Sequence, residues 1–196
     1  MPKIVDHEKR RAEIAKALWR VIQREGITGV SIRVVAAEAG YPKATVTYYF
    51  KTQADLLTYA MEESLRVSQE KITRILAQSP GVPEYVEALL EVIPTTPLRR
   101  RQTSIWLEVV TQSQGNADLR RYLLDVNNTV YVAICGVLEQ MRAQGLVSPR
   151  RSIELEARTL HAVIDGLSLH TMTSHRATPP SQIREIATHL ILQLQS

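Results

Sequence analysis

Residues 31–50 read SIRVVAAEAGYPKATVTYYF, and the fold follows from how this stretch is parsed. Ser31 can cap a helix over Ile32–Ala39 by accepting a hydrogen bond from a free backbone N–H of its first turn. Gly40 stops that helix, because glycine takes the left-handed conformation without a Cβ penalty. Pro42 suits the start of a second, short helix that runs through Tyr48. The result is helix, tight turn, short helix. A helix-turn-helix has this plan, in which the first helix braces the second in the major groove of DNA. Val34, Val35, Ala39, Val46 and Phe50 are expected to pack the pair together, which leaves Lys43, Thr45 and Thr47 pointing outward.

Those outward residue types suit DNA. Lys43 can donate to guanine acceptors, and threonine methyl groups can touch thymine methyls. Tyr48 and Tyr49 carry hydroxyls suited to phosphate oxygens. Three of the seven tyrosines lie between 41 and 49, more than packing requires. An ordinary helical hairpin with partly buried tyrosines is the alternative at this point.

Working outward, the apolar spacing is helical along the whole chain, with no convincing stretch of period two. A first helix spans about Asp6 to Arg24, with Ile14, Leu18, Val21 and Ile22 on one face and Gly26 and Gly29 closing it. After the short helix, Thr52 with Asp55 makes a capping-box start to a long helix reaching about Gln78. Ser79-Pro80-Gly81 ends it, and Pro83 starts a helix through Ile93. Further helices are expected over Leu98–Gln114, Ala117–Gln144, Ser148–Ser174 and from Thr178-Pro179-Pro180 to near the end. The expected fold is all-α with nine helices: a three-helix DNA-binding domain over 1–52 and a helical ligand-binding and dimerisation domain over 53–196.

Composition agrees with a packed core. The 196 residues are 44% hydrophobic and 22% charged, which excludes disordered and low-complexity classes. No apolar run approaches the roughly 18 residues of a membrane span. The charged N-terminal stretch lacks the apolar core of a signal peptide. The single cysteine, Cys135, excludes an intramolecular disulfide and a cysteine zinc site and favours a reducing compartment. A soluble cytoplasmic protein is expected. Residues 1–55 hold ten Lys/Arg against six Asp/Glu, and the remaining 14 of each cancel, so the whole net charge of +4 sits in the first quarter. A phosphate-binding surface needs such an excess. A solvated basic helix face would show it too.

The stretch GITGVSIRVVAAEAGYPKATVTYYFKTQADLL resembles the N-terminal domain of TetR-type transcriptional repressors. The shared pattern is a capped second helix (Ser31), an Ala39-Gly40 turn, Tyr48-Tyr49, Phe50, then Leu56-Leu57. The resemblance covers about 50 residues strongly, and the nine-helix plan extends it over the chain. It implies that Arg33, Lys43, Ala44, Thr45 and Thr47 approach bases and that Ser31, Tyr48, Tyr49 and Lys51 lie near phosphates. Gln53 stands where the family usually has a phosphate-binding lysine, Ala44 where glycine is common, and Thr47 where tyrosine is common. Residues 98–172 resemble the BetI-like subgroup, chiefly in LRRRQTSIWLEVV and ARTLHAVIDGLSLH.

The C-terminal part carries two further expectations. Ala162, Val163, Gly166 and Leu167, with Ile183, Ile186, Leu190 and Leu194 of the last helix, form seams that would pair with a second copy in a four-helix interface. Packing within one chain is the alternative. Trp106, Glu108, Asn128, Tyr131, Cys135, His161, Asp165, Ser168 and Met172 combine apolar walls with a few polar groups, as in a small-molecule pocket between helices. Aromatic rings with Glu108 or Asp165 could hold a cation. Core packing for Trp106 and Cys135, and a surface or interface pair for His161 and Asp165, stand against this. Arg99-Arg100-Arg101 reads as a solvated helix start or as the gate of an anion pocket.

Catalytic signatures are missing: no glycine-rich phosphate loop, nucleophile elbow or HExxH occurs. Of His7, His161, His170, His175 and His189, only His170 and His175 approach a metal spacing. No cofactor, metal or catalytic residue is expected. The function expected is a homodimeric transcriptional repressor released from a pseudo-palindromic operator by a small molecule. The alternatives are a DNA-binding regulator without such an inducer, and an enzyme or carrier on a helical bundle.

Overall fold

Local capping chemistry fixes several helix ends in the computed structural model, which describes residues 7–77, 80–174 and 178–196. Among these residues there are nine α-helices and no strand. They are α1 His7–Glu25, α2 Ile32–Ala39, α3 Lys43–Tyr49, α4 Gln53–Ile75, α5 Val82–Val92, α6 Pro97–Ser113, α7 Ala117–Ala143, α8 Ile153–Thr173 and α9 Pro180–Gln193. A single 3-10 turn, Ile27–Gly29, follows α1. The Asp6 start, the Gln78-Ser79 end and His175 fall outside the described residues.

The Ser31 Oγ accepts from Val34 N at 3.2 Å, and Gly40 sits at φ 69°, so α2 has the limits its cap and stop dictate. Thr52 and Asp55 form the reciprocal box: Thr52 N donates to Asp55 Oδ2 at 3.0 Å, and Asp55 N to Thr52 Oγ1 at 3.1 Å. The start of α8 is a correction. It lies at Ile153 rather than at Ser148-Pro149. Ser148 N donates to Leu194 O at 2.8 Å, which ties this segment to the end of α9. The Arg142 Nη2 donates to Arg151 O at 2.6 Å, and Ser152 becomes the cap, accepting from Leu155 N at 3.4 Å. Tertiary hydrogen bonds hold Ser148–Arg151 in a turn that local propensity reads as helix.

The chain divides into two compact units. The first comprises the chain up to Leu65 together with Arg101–Arg120. Here α1 packs on α2 and α2 on α3. Ile14, Leu18, Val21 and Ile22 of α1, Val35 of α2, Val46 of α3, and Phe50, Leu56 and Leu57 are all buried. Glu38 on α2 locks this arrangement to α1. It accepts from Arg20 Nε at 2.6 Å and Arg24 Nη1 at 2.8 Å, and these two guanidinium groups hold its carboxyl below the usual glutamate range.

The second unit comprises Arg66–Arg100 and Arg121–Ser196. Its core gathers Tyr85, Val86, Leu90 and Ile93 from the α5 segment, Leu138 and Met141 from α7, Ala157, Leu160 and Leu167 from α8, and Ile183, Ala187, Ile191 and Leu194 from the α9 segment. The Tyr85 hydroxyl donates to Gln144 Oε1 at 2.8 Å, so its one polar atom is paired. Burial pushes its ionisation up. No described helix is long and apolar enough to cross a membrane.

Candidate nucleic-acid interface

The short helix α3 has two faces set by its sequence. Val46 is fully buried and Phe50, just past the end, is 1% exposed. These anchors fix the rotation of α3. Lys43, Ala44 and Tyr48 are consequently exposed, with Thr45, Thr47 and Tyr49 half-buried. Tyr48 is 69% exposed, an unusual degree for a large aromatic ring. The Thr47 hydroxyl donates to Lys43 O at 2.9 Å. Its polar atom is engaged within α3, which leaves the methyl as the group it can offer a base. Val34 and Ala39 are half-buried rather than fully enclosed.

On α2, Arg33 is exposed. Ser31 uses its oxygen lone pair for the cap and keeps a hydroxyl proton to donate to a phosphate. Lys51 is exposed after α3, and Gln53 is half-buried at the start of α4. The nine residues therefore lie on two helices and the turns beside them, all within the first unit.

Two neighbours of this surface escaped the sequence reading. His7 Nδ1 lies 2.9 Å from the Tyr49 hydroxyl across 42 residues of chain, and its ring stands against Tyr48 and Tyr49 at centroid distances of 5.8 and 5.9 Å. The two tyrosines meet edge to face at 5.0 Å. Arg10 stacks over the Tyr41 ring at 4.4 Å, and the Tyr41 hydroxyl donates to Glu13, a bond that raises its ionisation above the usual phenol range. Tyr41 is thus fastened to α1. A histidine at a helix start carries no periodic signal, so only the fold reveals the cluster.

The nine expected effector residues fall in both units. Trp106 and Glu108 lie on α6 in the first unit, and the other seven belong to the second. Glu108 accepts from Gln112 Nε2 at 2.8 Å. Tyr131 is not a free aromatic wall: Arg158 lies over its ring at 4.7 Å. Its hydroxyl is held above the usual phenol range, first by its hydrogen bond with Cys135 and then by burial. His161 Nε2 and Asp165 Oδ2 are 4.0 Å apart, and burial raises the Asp165 carboxyl against the opposing pull of His161. Ser168 is buried, Cys135 and Met172 half-buried, and Asn128 exposed.

A cavity of about 360 Å³ does occur in the second unit, lined by Glu87, Leu90, Thr95, Arg99, Pro180, Ser181 and Arg184. None of the nine expected residues lines it. Its arginines have carboxylate partners already: Arg184 Nη1 meets Glu87 Oε1 at 2.5 Å, and Arg99 pairs with Glu91. Arg99 also donates to Leu90 O at 2.6 Å. Arg99 is therefore not a solvated helix start; it clamps the turn between α5 and α6. Among the described residues no group of three His, Cys, Asp or Glu is placed to hold a metal ion.

Three of the expected dimer-seam residues are already covered within the protomer. Leu167, Ile183 and Leu194 are 8%, 0% and 2% exposed, inside the core of their own unit. α9 packs on α5, which turns Ile183 and Leu194 inward, and Leu167 of α8 joins the same core. Val163, Gly166, Ile186 and Leu190 are half-buried, and Ala162 is exposed.

A buried-anchored short helix with a basic, tyrosine-bearing outer face, braced by a capped helix before it, defines a helix-turn-helix DNA-binding regulator. Comparison with known proteins makes this specific. Residues 14–60 match the model of the tetR family of bacterial regulatory proteins, and residues 84–196 match that of the BetI-type transcriptional repressor C-terminal domain. The chain is 33% identical over 178 residues to the HTH-type transcriptional regulator PksA of Bacillus subtilis, covering 88% of this chain and 83% of that protein. It is 25% identical to the regulator BetI of Stenotrophomonas maltophilia, covering 86% and 84%. A transcriptional regulator of Saccharomonospora viridis, solved in complex with choline, superposes with a TM-score of 0.80 at 26% identity, covering 94% of this chain and 96% of its own. The chain belongs to the TetR family, with a BetI-type C-terminal part. It is a DNA-binding transcriptional regulator, and its relatives are regulators rather than enzymes.

Proposed function

We propose that the chain is a homodimeric repressor whose two heads, residues 1–52, dock in successive major grooves of a pseudo-palindromic operator. The single observation that carries this reading is α3. Val46 and Phe50 fix it from inside, and Lys43, Ala44 and the exposed Tyr48 face out. Lys43, Thr45 and Thr47, with Arg33, read base edges. Ser31, Tyr48, Tyr49 and Lys51 hold phosphates and set the register.

Residues 53–196 carry the second copy and the effector. On α8, Leu155 and Leu169 are 63% and 46% exposed, and Ala162 and Gly166 lie between them on the same helical face. A face with apolar ends and a small-residue centre suits close helix approach. Leu192 of α9 adds to the exposed apolar surface of this unit. A short recognition helix gains useful affinity only when two half-sites are engaged together. The BetI-type match and the choline bound to the Saccharomonospora relative support a small-molecule effector within the helical domain. Such an effector acts by binding more tightly to a dimer whose heads are wrongly spaced, and its differential affinity sets how far DNA occupancy shifts.

The test is selection from random duplex DNA with the purified protein at near-physiological salt. An enriched inverted repeat with half-sites about one helical turn apart is the expected result. Enrichment of no sequence by a folded dimer overturns this function. With the operator in hand, release of DNA by small molecules separates a ligand-responsive repressor from one governed by abundance or a protein partner.

A further inference from the structure

We infer that His7 is a positioning residue for DNA binding: it sets which way the Tyr49 hydroxyl donates, and so couples DNA affinity to proton uptake. The inference rests on the reading above that Tyr49 contacts a DNA phosphate.

The geometry leaves two hydrogen-bond polarities across the 2.9 Å between His7 Nδ1 and the Tyr49 oxygen. When Nδ1 carries no proton, the tyrosine hydroxyl must donate to it. The phenolic proton is then engaged with the imidazole. When Nδ1 carries a proton, it donates to the phenol oxygen, and the phenolic proton is free to turn outward. A phosphate oxygen is an acceptor only, so it can use Tyr49 solely in the second arrangement. DNA binding therefore selects the Nδ1–H form. Neutral imidazole has its proton on either nitrogen, whereas imidazolium has one on both. Protonation thus makes the productive arrangement obligatory and adds a positive charge beside the backbone.

The groups around His7 come from α1 and α3. His7 is exposed at the start of α1. Tyr48 and Tyr49 face it from α3, and Glu8, Lys9, Arg10 and Arg11 stand within the first turn of its own helix. An ordinary histidine changes charge near about pH 6.5, inside the range where the protein can be assayed. The protonated form binds more tightly, so affinity rises as pH falls through that value. Linkage requires DNA to favour the protonated imidazole by the same factor by which affinity rises for each head.

Phosphate contacts do not depend on sequence, so a labelled mixed-sequence duplex at low salt is a sufficient probe. Its affinity for the full-length protein is measured between about pH 5.5 and about pH 8 at constant ionic strength, bracketing the histidine range. Wild type is expected to tighten by about tenfold or more towards low pH, and His7→Gln to give a flat profile. Tyr49→Phe is expected to lose affinity and most of the pH slope, and the double variant to show no further loss, because the pair acts as one unit. The ring proton resonances of His7 should report a raised pKa when duplex is added. A wild-type profile that is flat, or one that survives unchanged in His7→Gln, overturns the role of His7, since the other four histidines are all beyond residue 160. Loss of duplex binding at every pH by the folded wild type overturns the DNA-contact reading itself, and the inference with it. Unchanged helical content and thermal midpoint of His7→Gln separate either result from misfolding.

Discussion

The two faces of α3 make opposite predictions for substitutions three residues apart. Val46 is fully buried, and Lys43 is exposed one turn earlier. Val46→Ala removes two buried methyl groups, worth about 0.8 kcal/mol each on transfer. A residual cavity on the order of 30 Å³ adds about 0.7 kcal/mol at 24 cal/mol per Å³. The first unit should therefore lose about 2 kcal/mol. Trp19 on α1 and Trp106 on α6, the two tryptophans of the chain, both belong to that unit. Urea denaturation followed by tryptophan fluorescence therefore reads it directly. With an m-value on the order of 1.5 kcal/mol/M, the midpoint should fall by about 1–2 M. Lys43→Ala should change stability by less than about 0.5 kcal/mol, as surface changes do, which leaves that midpoint within about 0.3 M. Its DNA affinity should fall by about 1–3 kcal/mol for each lost base contact, with relaxed preference at one position. If instead Val46→Ala unfolds like wild type while Lys43→Ala destabilises the head, the rotation of α3 is wrong and so is the interface built on it.

Three further outcomes follow from named residues. Gly40→Ala places a Cβ that meets nothing within 4 Å, but at φ 69°, so it should cost about 1 kcal/mol through backbone strain alone; no change in the fluorescence midpoint would contradict the left-handed stop. Glu38 is held below its ordinary range by hydrogen bonds from Arg20 and Arg24, so its contribution is complete above the unfolded glutamate pKa of about 4.3 and is lost as pH falls through the depressed folded value. The acid limb of the stability curve should accordingly be shallower in Glu38→Gln, and identical limbs would remove the clamp. Asp165 is shifted the other way, chiefly by burial, so its ionisation works against folding once pH exceeds the unfolded value of about 3.9. Asp165→Asn should raise the thermal midpoint at about pH 7, with the gap closing near pH 3; an asparagine variant that is weaker at neutral pH would show that the carboxylate has a favourable partner.

The ends of α2, the start of α4 and the two-faced α3 were legible in the sequence because they depend on near neighbours. A Ser31 hydroxyl reaches the N–H three residues on, Gly40 takes its own left-handed φ, and Thr52 and Asp55 exchange bonds within one turn. Burial of Val46 and Phe50 follows from a period that any amphipathic helix displays. Such interactions are written in consecutive residues, and the packed fold merely keeps them.

Partnership between distant segments is a different matter, because an apolar stripe states that something covers it and not what. Ile183 and Leu194 read equally well as a surface for a second copy, and the packing of α9 on α5 assigns them to the core, which Leu167 of α8 also joins. Tyr131 reads as a ligand wall until Arg158 occupies its face, and Ser148 reads as a helix start until Leu194 O takes its N–H. His7 has no periodicity to mark it, yet the fold sets it 2.9 Å from a hydroxyl 42 residues away. The sequence by itself determined the helices, the turn and the charged head, since local geometry and composition fix these. The tertiary structure decided which faces are already covered and which side chains meet across the chain, since those depend on the relative placement of whole helices.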